Sequence, residues 1–125
     1  MRIATLDYIA ELMQSIGVPY SYMEWAEKEL PETYFVGSYL ENPSITLEEN
    51  GHQETTFILR GWTGGSWLGL ETYKEKIEKN LMKTGILADG TGIAVFFDSA
   101  MPVPTGVEGW KSIKINLKIQ EWKVN

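Results

Sequence analysis

The sequence predicts an α+β domain, with an antiparallel β-sheet of four or five strands and two helices packed on one face. Three observations carry this expectation. Near the C-terminus Ile113, Ile115, Leu117 and Ile119 alternate with Lys114, Asn116, Lys118 and Gln120, the pattern of an antiparallel strand with one buried and one wet face. Two other segments repeat apolar residues at spacings of three and four, as helices with one packed side do. Finally, the strand-like segments come in runs separated by one helix rather than alternating with helices, which points to α+β. The chain has 125 residues, enough for a single core and too few for two, so one domain spanning 1–125 is expected.

The first helix is read from Leu6, Ile9, Met13 and Ile16, with Ala10 beside them and Thr5 as a candidate cap. Gly17 stands where helices commonly end, and Pro19 forbids resumption. Tyr20 to Trp25 is expected to be extended, and the acidic, Pro31-bearing stretch Glu24–Glu32 to be a loop. Thr33 to Glu41 is rich in aromatic and β-branched residues and reads as a strand stopped by Asn42-Pro43. Ser44–Glu49 has strand character ahead of Asn50-Gly51, a dipeptide that accepts positive φ in tight hairpins. Gln53 to Trp62 alternates cleanly and is expected as a strand.

Gly61 to Trp67 breaks regular structure, and a second helix carries Leu70, Tyr73, Ile77 and Leu81 on one stripe until Gly85. Glu75 and Lys79 stand four apart in the order that favours an ion pair. Asp89-Gly90-Thr91-Gly92 turns the chain into the apolar strand Ile93–Asp98. Met101 to Gly109 reads as an irregular, rather hydrophobic loop before the final strand.

Composition narrows the function classes. There is no Cys, which excludes disulfides and thiolate metal sites. Residues 1–7 lack the apolar run of a signal peptide, and no segment has the roughly 18 apolar residues of a membrane span, so a soluble protein is expected. Net charge is −6, which disfavours nucleic-acid binding by phosphate neutralisation. The charge is uneven. Ten acids against Arg2 and Lys28 leave residues 1–59 at −8, while nine bases against seven acids leave residues 60–125 at +2. This imbalance suits head-to-tail contact between copies, acidic half against basic half; an ordinary solvated surface is the alternative.

No motif carries catalytic chemistry. His52, the single histidine, flanks a turn and has no partner set for a metal or a nucleophile. Gly64-Gly65-Ser66 resembles the start of a nucleophile elbow, but Leu68 stands where that pattern needs Gly. Gly90-Thr91-Gly92 precedes a strand, whereas phosphate-cradling loops open a helix. Glu27 with Glu29, and Glu48 with Glu49, fall in polar segments that would leave them hydrated. The reading is therefore of a non-enzyme without metal or cofactor. Trp62 and Trp67, spaced by small residues, either anchor a protein partner, stack on a sugar, or plug the core beneath the second helix. Met101 and Val103, in the apolar loop, join them as protein-interface candidates.

The order of elements resembles the small tail-completion proteins of long-tailed phages: tail terminators, tail-to-head joining proteins and related minor tail proteins. It is carried by the helix closed with Gly17-Val18-Pro19, the segment Pro31–Tyr39, the strand Glu54–Trp62, the helix Leu70–Leu81 and the closing strand Ile113–Lys123. What the resemblance implies is a phage or prophage structural subunit of α+β fold. It would assemble into a homo-oligomeric ring, typically hexameric, at the head-proximal end of the tail. Such a ring caps the tail-tube protein and joins it to the head-connector protein. The implied location is the virion tail, with the host cytoplasm as the place of assembly, and the family offers no catalytic residue. Two other readings stand beside it: a monomeric carbohydrate-binding module using Trp62 and Trp67, and a small enzyme with a carboxylate site at Glu48 and Glu49.

Overall fold

A computed structural model describes residues 1–25, 28–41, 53–81 and 83–123. Helix α1 (Ile3–Ser15) leads to the short strand β1 (Tyr20–Tyr22), followed by β2 (Thr33–Glu41) and β3 (Gln53–Thr63). Helix α2 (Trp67–Lys79) separates these from β4 (Gly85–Ile86), β5 (Thr91–Val103) and β6 (Lys111–Lys123). The strands form one sheet in the order β1-β2-β3-β6-β5-β4. Six strands replace the expected four or five, and the sheet is not wholly antiparallel, because β1 runs parallel to β2. The extra strands are two and three residues long, too short to produce a periodic signal. The expected strand over Ser44–Glu49, its Asn50-Gly51 turn, His52, Glu27, Glu48 and Glu49 lie outside the described residues.

The sheet is built around the β3–β6 pair, in register from Gln53↔Glu121 to Thr63↔Lys111. Odd-numbered residues of both strands face the helices: Phe57, Leu59, Ile113, Ile115, Leu117 and Ile119 are fully or almost fully buried. Ile9 and Met13 of α1 and Leu70 and Ile77 of α2 close over them in a single cluster. Among the described residues the other face of the sheet carries no helix. Gly61, opposite Phe35 in the register, lies beneath the Phe35 ring. Gly37 is packed in the same way: a Cβ there would meet the Tyr20 hydroxyl at 2.5 Å and the Phe57 ring at 2.6 Å. These bare backbone positions let large rings lie flat on the strands.

Helix α1 starts earlier than the apolar spacing indicates, and Thr5 does not cap it. The cap position is Arg2, which makes no side-chain cap bond. Thr5 lies inside the first turn, and its hydroxyl donates to Glu121 Oε2 at 2.6 Å, while the Arg2 backbone N–H donates to the same oxygen at 3.0 Å. Glu121 is 2% exposed on the helix-facing side of β6, so one carboxylate receives the start of the helix and ties it to the sheet. Negative charge at a helix N-terminus is favourable in any case. The second helix is capped by Ser66, whose hydroxyl accepts from the Gly69 N–H at 3.2 Å. It ends at Asn80 rather than Gly85, which belongs to β4. Its ion pair is Lys74–Glu71 at 2.8 Å rather than the expected Glu75–Lys79.

Strand β5 runs well past Asp98. A bulge between Phe97 and Ser99 keeps it paired with β6 to Val103, so Met101 and Val103 are strand residues and not part of a loop. The Pro102 that argues against a strand is tolerated because β4 pairs only with Gly92 and Ile93, leaving the rest of β5 as a sheet edge.

Two stability outcomes are expected in denaturant titration. Glu121→Ala should lower the unfolding free energy by about 2 kcal/mol, because it strands the Thr5 hydroxyl and the Arg2 backbone N–H; unchanged stability would contradict the anchoring role. Gly37→Ala should cost about 1–3 kcal/mol by overpacking, and a neutral result would show that the Tyr20 and Phe57 rings yield freely.

Candidate interaction surface

The uncovered face of the sheet is where the interface candidates converge. Even-numbered residues of β2, β3 and β6 project there, because they alternate with the buried set. At one end Tyr34 is the hub of an aromatic cluster. Trp62 stacks on it at 5.2 Å between ring centroids, Trp25 leans on it at 5.3 Å, and Trp110 meets it edge-on at 6.3 Å. The Arg60 guanidinium lies 5.0 Å from the Trp62 ring centre, within reach of a cation–π attraction. Arg60 Nε also contacts Ser112 Oγ at 3.4 Å, and that hydroxyl donates to the Gly61 carbonyl at 2.9 Å.

Two shallow hollows flank Trp62 and Arg60. One, of about 470 Å³, is walled by Met23, Val36, Ile58 and Val103, with Lys114 on its polar side. The other, of about 330 Å³, lies between Leu30, Tyr34, Val107 and Trp110. Met23 enters the first hollow with a backbone φ of +68°, a left-handed conformation that is costly for a residue with a Cβ and that recurs at working surfaces. Its N–H is held by the Gly37 carbonyl at 2.7 Å. On the other, helix-bearing side of β1 and β2, Tyr22 stacks on Tyr39 at 6.3 Å. Burial, reinforced by the hydrogen bond it makes with Tyr39, raises the Tyr22 phenol above its usual range, and burial does the same to Tyr20.

Of the four residues singled out from sequence, three share this face. Trp62 and Val103 line the same hollow, and Met101 pairs with Lys114 beside it, 55% exposed. Trp67 does not belong with them. It opens α2, which packs on the covered face, and is 44% exposed. The two tryptophans therefore neither plug the core nor form a joint platform, because Trp62 continues β3 while Trp67 already belongs to the helix. Trp62 finds its companions in Tyr34, Trp25 and Trp110 instead. Trp25, Trp110, Arg60, Lys114 and Met23 carry no local sequence signal; the strand register, with the segments that follow β1 and precede β6, brings them together. Among the described residues no group of three His, Asp or Glu side chains is placed to hold a metal, and no helix is long and apolar enough to cross a membrane.

No family profile matches the chain, and no curated protein matches it. Solved structures do share its fold. A chain from a structure described as the virion of a native gene transfer agent particle superposes with a TM-score of 0.70 at 14% identity, covering 90% of this chain and 85% of that one. A second solved chain, without a descriptive name, gives 0.61 at 11% identity, covering 93% of this chain and 87% of that one. At these identities the likeness is one of fold.

The open face makes a contrast testable by mutation. Phe57→Ala, on the covered face, should cost about 3–5 kcal/mol. Met101→Ala, on the open edge strand, should stay within about 0.5 kcal/mol. Comparable losses at both positions in thermal or chemical unfolding would mean that the second face is not free.

Proposed function

We propose that this chain is a structural subunit of a phage or phage-like particle, acting at the head-proximal end of the tail. There it assembles with copies of itself as a ring, caps the tail tube and offers a surface to the head connector. The observation that carries this reading is the fold shared over nearly the whole chain with a component of a gene transfer agent virion. The order of elements, which resembles that of tail-completion proteins, points the same way. A sheet with one helical layer and one bare, aromatic face suits a subunit whose remaining apolar surface is covered by other protein. The role so read is one of assembly and not of catalysis. The carbohydrate-binding alternative draws less support, because Trp62 lies in β3 and Trp67 in α2 and the two do not share a platform.

The test is made on particles. Mass spectrometry and immunogold labelling of purified virions should find the chain at the head–tail junction. Deletion of its gene should leave heads and tails unjoined, or tails of uncontrolled length. Normal joined particles in the deletion strain, or the absence of the chain from them, would refute the proposal.

A further inference from the structure

The two layers of the molecule carry surfaces of opposite chemistry with matching spacing. On the open sheet face Arg60 and Lys114 are direct partners across β3 and β6, with Cβ atoms about 5 Å apart as such neighbours are. Both line the larger hollow. Neither has an ion-pair partner among the described residues, whose salt bridges are those of Met1 with Glu41 and Lys74 with Glu71. Lys118 lies farther along β6 on the same face. On the opposite layer α1 contains no Lys or Arg. Its outward stripe is Ile3, Asp7, Glu11 and Gln14, all exposed. Asp7 and Glu11 stand one turn apart, about 5–6 Å between Cβ atoms, the spacing of the cation pair. Ile3, 77% exposed, precedes Asp7 by another turn, an apolar tip next to the two acids. The hollow beside Arg60 and Lys114 has an apolar wall of Val36, Ile58 and Val103 to receive it.

We propose that α1 of a second copy of this chain docks on the open sheet face, with Asp7 and Glu11 against Arg60 and Lys114 and Ile3 against the apolar wall. The proposal rests on the reading of the chain as an assembling subunit and names the surfaces that would join. Because the two surfaces lie on opposite layers, the contact is heterologous. Each copy gives its sheet to one neighbour and its helix to the next, and the chain of contacts closes into a ring when the rotation divides a full turn. Nucleic acid is a poorer occupant, since few cations stand on the face of a chain with net charge −6.

The experiment is equilibrium sedimentation of the full chain at low and high salt. Wild type should associate with rising concentration, and less so in high salt. The double variants Arg60→Glu/Lys114→Glu and Asp7→Lys/Glu11→Lys should each associate about tenfold more weakly or worse, with unchanged circular dichroism. An equal mixture of the two should recover association, because each presents to the other the charge it has lost. Should either double variant fold poorly, Arg60→Gln and Glu11→Gln serve in its place, each expected to weaken association. Wild type that stays monomeric at all concentrations, variants that associate like wild type, or a mixture without recovery would each overturn the contact. Association that survives both charge reversals would leave the subunit reading intact, and the location of the chain in purified particles decides that reading separately.

Discussion

The structure depends on one constraint: a single sheet has two faces, and the two helices among the described residues pack on only one of them. The β3–β6 pair drives a row of Phe, Leu and Ile side chains against α1 and α2, and burial of that row is the main favourable term available to so small a domain. The same alternation that fills the covered face sends Tyr34, Val36, Ile58, Arg60 and Trp62 to the other. A wholly polar second face would satisfy solvent. This one holds three tryptophans around a tyrosine and a cation over an indole, a composition enriched where proteins meet.

How the layers are fastened bears on what the surface can do. Glu121 takes the position that the β6 alternation reserves for an apolar side chain, and it accepts from two groups at the start of α1. Its other oxygen, Oε1, is buried without a hydrogen-bond partner among the described residues. The helix is thereby held in place relative to the sheet, and its acidic outer stripe keeps a defined position opposite the basic face. Rigid placement of both surfaces is what a repeating head-to-tail contact needs, because a closing ring tolerates little angular error per step.

Local patterns carried much of the fold. The alternation from Ile113 to Ile119, the bounds of β2 and the stripes of both helices were legible because each needs only neighbours in sequence. The parallel placement of β1, the run of β5 past its bulge and the short β4 were not, since pairing with a distant strand decides them. The candidate surface divides along the same line. Trp62 is marked by its place in a Gly- and Trp-rich segment, and Met101 and Val103 by an apolar stretch, but their convergence with Tyr34, Arg60 and Trp110 depends on the register of β2, β3, β5 and β6. Trp67 stands apart from Trp62 although the two indoles are close in sequence, because a strand end and a helix start send them to different parts of the molecule. Glu121 did leave a signal: an acid at an inward-facing position of a regular strand implies a buried partner.

The central claim is that protein covers the open sheet face when the chain is at work. Hydroxyl-radical footprinting, read by mass spectrometry at Trp62, Met101 and Phe96 (the β5 partner of Lys118 on the same face, 45% exposed), tests it most directly by comparing dilute chain with the assembled form. Strong labelling in dilute solution and marked protection on assembly are the predicted result. Labelling of these three side chains that is the same in both states, with protection found elsewhere, would contradict it.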